Sequence, residues 1–154
     1  MEIRRGLLVA LCVTCAAVSA SAQPDTSRAI AGEELTRFLP ERLGEARQHH
    51  AFAQVWGAQA AYELPGRRYI TLDVKSVLSP SLARSQTERC QTWETIGGHS
   101  GCVLGMSEGD YVMIRWVFEN RIEVVLGGSA LGLDVVREHA RHVNLDAIRA
   151  RARR

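Results

Sequence analysis

The sequence predicts an α+β fold: an antiparallel β-sheet meander with a short N-terminal helix and a C-terminal amphipathic helix. Three observations carry this. RYITLDVKSVL (68–78) alternates apolar and polar residues with period two, as a half-covered strand does. YVMIRWVF (111–118) and RIEVVLGG (121–128) form two further alternating runs around Glu119-Asn120. Beyond Gly127-Gly128-Ser129 the period lengthens, and Leu131, Val135, Val136, His139 and Val143 fall on one helical stripe.

The chain has 154 residues, and its start is read as separate from the fold. Arg4 and Arg5 precede GLLVALCVTCAAVSA, an uncharged apolar run closed by small-x-small patterns at 18–20 and 20–22. That is the pattern of a secretory signal peptide over 1–22, cut after Ala22 or after Ala20. The run is short for a membrane span, which takes roughly 20 residues. A retained anchor, or a lipoprotein through Cys15 or Cys12, is the alternative. Residues 23–31 read as a flexible lead-in, 32–148 as one domain and 149–154 as a frayed basic tail.

Within the domain, Leu35, Phe38 and Leu39 share a face of a short helix opening at Gly32-Glu33-Glu34, limited by Pro40 and with Glu41 to Leu43 as an extension. Residues 44–50 are polar and without period. From Phe52 an imperfect alternation sets Phe52, Gln54, Trp56, Ala58, Ala60 and Tyr62 on one side, with Gly57 as a bend. Leu64-Pro65-Gly66-Arg67 is a turn leading into the strand from Arg68. Ser79-Pro80 then opens two helical turns, with Ser79 as the cap. TWETI and HSGCVLGM form a hairpin about Gly97-Gly98, in which Ile96 opposes His99 and Trp93 opposes Cys102. Val112, Ile114, Trp116 and Phe118 face inward against Ile122, Val124 and Leu126. Leu145 and Ile148 extend the helical packing. So few helices cover one side of such a sheet, which leaves the other side to solvent or a partner.

RCQTWETIGGHSGC (89–102) gathers the residue types that chemistry uses. Eleven residues separate Cys90 from Cys102, against the two of a redox Cys-x-x-Cys. Zinc needs a second pair of ligands, and none is spaced for it. Gly98-His99-Ser100-Gly101-Cys102 resembles a nucleophile elbow, but Cys stands at the fifth position and a strand follows where a helix is needed. Once the leader is gone, Cys90 and Cys102 are the remaining cysteines, an even pair in an oxidising compartment. A disulfide is expected, with a bend or helix end near Cys90 to bring the sulfurs together.

GEELTRFLPERLGEA and AAYELPGRRYITLDV, with the later IGGHSGCVL, RIEVVLGG and VREHARHVNLDAIRA, resemble a group of small secreted bacterial proteins of unknown function. The resemblance spans about 32–150 and rests on Leu39-Pro40, Tyr62, Gly98, Gly128 and Leu145-Asp146. It implies a bacterial periplasmic domain of mixed fold and carries over no catalytic residue.

The function expected is therefore that of an exported envelope protein, periplasmic or secreted. It would be a non-enzymatic binding or accessory domain for another envelope protein or a small ligand. Trp56, Trp93 and His99 are the candidate binding residues, with Trp116 assigned to the core. Without Arg4, Arg5 and Glu2 the net charge falls from +2 to +1, too little to draw nucleic acid or anionic lipid. No cofactor, metal or stable membrane insertion after cleavage is expected. The alternative is a metal-dependent or hydrolytic enzyme using His99/Ser100 or the His139/His142 pair, with His49, His50, Glu94 and Asp134 as further proton-transfer or ligand types.

Overall fold

Alternation sorts each strand's side chains onto two faces, and the apolar sets line up across eight strands. The computed structural model describes residues 26–90, 92–105 and 111–154. The leader expected at 1–22 and the first residues of the lead-in lie outside these. Helix α1 (Gly32–Leu35) runs into a 3-10 turn, Thr36–Phe38, followed by strands β1 (Arg42–Leu43), β2 (Ala46–Gln54), β3 (Gly57–Leu64) and β4 (Arg68–Ser76). Helix α2 (Pro80–Glu88) separates this meander from a second, β5 (Thr92–Ile96), β6 (His99–Gly105), β7 (Tyr111–Phe118) and β8 (Ile122–Ser129). Helices α3 (Leu133–Ala140) and α4 (Leu145–Ala152) close the chain.

The two meanders join through β4 and β8 into one antiparallel sheet of order β1-β2-β3-β4-β8-β7-β6-β5. Those central strands carry Ile70, Leu72, Val74, Ile122, Val124 and Leu126, each fully buried on the inner face. Trp116 and Ile114 continue that face along β7, and Ala58, Ala60 and Tyr62 along β3. Leu35 from α1, Val136 and Ala140 from α3, and Leu145 and Ile148 from α4 complete the core. Burying a side chain of this size stabilises the fold by about 1.5–3 kcal/mol. The expected pairings of Ile96 with His99 and Trp93 with Cys102 hold, and the inward sets of β7 and β8 face each other as expected, with Ile114 opposite Leu126, Trp116 opposite Val124 and Phe118 opposite Ile122. At the β7–β8 turn Glu119 and Asn120 both take positive φ, 51° and 50°, the backbone of a two-residue hairpin that follows the sheet's twist.

The structure differs from the sequence reading in several places. Residues 46–54 form strand β2 rather than a polar loop and the start of one long strand. From His49 to Gln54 both faces of β2 are exposed, which erases the period-two signal. The chain then reverses at Val55-Trp56, and Gly57 opens β3 opposite Gln54 instead of bending a strand. Arg42–Leu43 pairs with β2 rather than extending a helix. The predicted helix over 131–143 is shorter, and a second helix follows, because the Asn144 carboxamide oxygen accepts from the Ala147 N–H at 3.0 Å and restarts it. Helix α4 runs on to Ala152, which is buried, so residues 149–152 are helical rather than frayed. Arg151 donates to both carboxylate oxygens of Glu34, at 2.6 and 3.1 Å. The end of the lead-in is tied down at Ile30, whose N–H donates to Ser76 Oγ at 2.7 Å. Ser79 precedes α2 as expected, but its side chain makes no capping bond. Gly32 fits because a Cβ there would collide with the carbonyls of Gln54 and Gly57.

Candidate functional site

The outer face of the sheet is not an evenly solvated surface. Strand alternation places Asp73 and Lys75 of β4, Glu123 and Val125 of β8, Met113 and Arg115 of β7, and Leu104 of β6 on it. Helix α2 lies against this face through Ala83, its one buried side chain, and brings Gln86 and Arg89 over the strands. A groove of about 480 Å³ results, within the size range of small-molecule sites. A smaller cavity of about 200 Å³ lies where α2 starts and shares Gln86, Arg115 and Glu123 with it.

The charges in the groove form a network. The Arg115 side chain is 7 % exposed, and its Nε–H donates to Glu123 Oε1. Glu123 Oε2 lies 3.4 Å from Lys75 Nζ, so two cations share one carboxylate. Asp73 accepts from Gln59 Nε2 at 2.6 Å. Burial pushes the Asp73 carboxyl above its ordinary range, with Glu123 adding to the rise, against the pull of Lys75 and the Gln59 bond. Along the strands the groove changes character. Lys75 pairs with Glu123 in register, Asp73 and Arg115 both flank Val125, and Leu104 pairs with Met113. One end is charged, and the other is lined by Leu104, Tyr111 and Met113.

The disulfide forms as the cysteine count predicts. Cys90 and Cys102 are bonded with their Cα atoms 5.8 Å apart. Cys90 sits one residue past the cap of α2, so the bond ties the end of that helix to the middle of β6. It thereby holds Arg89 beside the groove.

The residues singled out from sequence scatter. Trp93 is about half exposed on the edge strand β5, whereas Trp56 is half-buried at the β2–β3 turn, at the far end of the sheet order. Trp116 is in the core. His99 is buried, with Nε2 2.9 Å from Asp146 Oδ1 and its ring edge-on to Phe118. It pins the β5–β6 hairpin to the first turn of α4. Ser100, its neighbour along β6, points to the other face, so the two do not form a nucleophile and base. His139 is buried on α3, where its Nδ1–H donates to the Val135 carbonyl at 2.8 Å. His142 lies past the end of that helix, exposed, with its ring against Gly44. Both line a surface cavity with Arg42, Glu45 and Glu138. Among the described residues, no group of three or more His, Cys, Asp or Glu side chains is placed to hold a metal ion. Glu94 and Asp134 flank Arg137, which joins β5 to α3 and holds the Glu94 carboxyl below its ordinary range. His49 lies 4.0 Å from Glu63, and His50 packs beside Phe52, both on the exposed edge strand.

Sequence reasoning overlooked the groove residues because alternating charges on a strand read as a solvated face. One signal was present. Arg115 interrupts YVMIRWVF in the middle of a strand that is otherwise free of charge. No family model, curated protein or solved structure matches the chain.

Proposed function

We propose that this chain is an exported, non-enzymatic binding domain that takes a small envelope ligand in the groove between α2 and the outer face of β4, β6, β7 and β8. The observation that carries the reading is the groove itself. A buried, paired arginine and a shared carboxylate are held beside an apolar wall, under a helix tethered by a disulfide. Placing Arg115 and Glu123 on the covered side of a sheet desolvates both, and apolar residues of similar volume would fill that space at least as stably. Their presence there is accounted for if the charges serve recognition. The disulfide and the leader pattern support export.

Thermal unfolding of the disulfide-bonded domain against a panel of small amphiphiles, sugars and nucleotides tests the reading. A ligand in the groove raises Tm by mass action, and Met113→Arg, at the apolar end, abolishes the rise. A ligand whose effect survives Met113→Arg binds elsewhere. A panel without any stabilising compound counts against the groove. Recovery of the chain in the cytoplasm with two free thiols would remove the export half of the proposal.

A further inference from the structure

Resting on that reading, we infer that the groove selects an amphipathic monovalent anion: an acidic head set against Lys75 and Arg89, with a saturated tail along Val125, Met113, Leu104 and Tyr111. Charge balance points there first. Among the described residues the groove holds three cationic side chains, Lys75, Arg89 and Arg115, and two acidic ones, Asp73 and Glu123. Glu123 is already engaged by Arg115 and Lys75. Asp73 is bonded to Gln59, and its carboxylate offsets one further charge. One positive charge is therefore left without a counter-charge, and one anionic head neutralises it. A second cation entering the groove meets the same excess and is repelled.

The distribution along the strands supplies the rest. The cationic end is partly open, since the Lys75 side chain is 49 % exposed, so a head group can reach it while partly solvated. Beyond Arg115 the β7 lining continues through Met113 to Tyr111, four residues along the strand. That is ~13 Å of strand, about the reach of an eight- to ten-carbon chain. Sugars and nucleotides have no apolar tail to cover Met113 and Leu104, and a purely apolar ligand would bury the Arg115–Glu123 end without a polar partner.

Calorimetric titration with octanoate, octanol and octylammonium, which share one tail, isolates the head group. Octanoate is expected to bind about ten-fold or more tightly than octanol, since a charge-assisted contact is worth roughly 1.5–3 kcal/mol. Octylammonium is expected to bind weakest. Lys75→Met and Arg89→Met, both at exposed side chains, should each weaken octanoate several-fold and leave octanol unchanged. Equal binding of octanoate and octanol, or tighter binding of octylammonium, overturns the inference while the groove stands as a ligand site. Absence of binding by all three overturns it too, and the groove reading falls with it only if the wider thermal panel also shows no stabilising compound. Octanoate binding that is indifferent to both Met substitutions and to Met113→Arg likewise overturns it.

Discussion

Removing the Cys90–Cys102 bond should weaken the domain by about 3 kcal/mol and loosen α2 ahead of the sheet. The bond spans 12 positions. Opening a loop of that length returns roughly 10 cal/mol/K of entropy to the unfolded chain, about 3 kcal/mol at 25 °C. The Cα separation of 5.8 Å lies within the ordinary range for such a bond. Cys102 is buried, so Cys90→Ala/Cys102→Ala is the suitable perturbation, since Ser would bury a hydroxyl. A domain of this size has about 5–15 kcal/mol of stability, so the variant should remain folded. Urea unfolding reads the global loss, and hydrogen exchange reads the local one. Helix α2 buries one side chain, Ala83, so without the tether its amides should exchange well before those of β4 and β8. A global loss under about 1 kcal/mol would refute the loop-entropy argument. Protection of α2 equal to that of β4 would refute the claim that the disulfide holds the helix over the groove.

Three further outcomes follow from the packing and the charges. Gly101 lies under the Trp116 indole, where a Cβ would come within 2.6 Å of Nε1 and 2.9 Å of Ile114 Cγ2; Gly101→Ala should therefore destabilise by about 1–3 kcal/mol in urea, and a neutral result would mean that the core there is loose. Glu34 and Glu94 are held below their ordinary value of 4.5, chiefly by bonds from Arg151 and Arg137. The unfolded chain then binds more protons than the native one at acid pH, so these pairs stabilise fully above pH 4.5 and are lost as pH falls through the native values. Glu94→Gln should lower Tm at pH 7 and match the parent at the acid end, although partial exposure keeps the effect small. Asp73 has the opposite sign: its raised native value means that stability falls as pH rises through the window above 3.8, so Asp73→Asn, which can still accept from Gln59, should raise Tm at neutral pH and not in acid.

What the sequence disclosed and what it hid divide along one physical line. Strands with one covered face announce themselves, because burial imposes a period of two. The two faces of β4, β7 and β8 were legible residue by residue, and so was the set on β8 that faces β7. β2 was not, because from His49 to Gln54 neither of its faces is covered and nothing constrains the pattern. The same gap makes β2 a liability. Its outer edge is covered by β1 at Ala46 and Arg47 and by the Glu41 carbonyl at Gln48, and beyond them HHAFAQ carries no Lys, Asp or Glu to discourage another strand.

The groove was hidden for a different reason. Strand alternation shows which residues leave the core, not what lies over them once they have left it. Asp73, Lys75 and Glu123 have the sequence pattern of a solvated face, and they would have been one if the chain between the two meanders were a loop. Instead that chain is helix α2, folded back onto the outer face and tied there by a bond from its end to β6. The two features that sequence did disclose, a short helix after Ser79-Pro80 and one cysteine pair, are thus the two that create the site. In sequence the bond encloses the Gly97-Gly98 hairpin, but that hairpin is already set by its turn and its register. What lacks other support is the helix, and the groove exists only while the helix stays down.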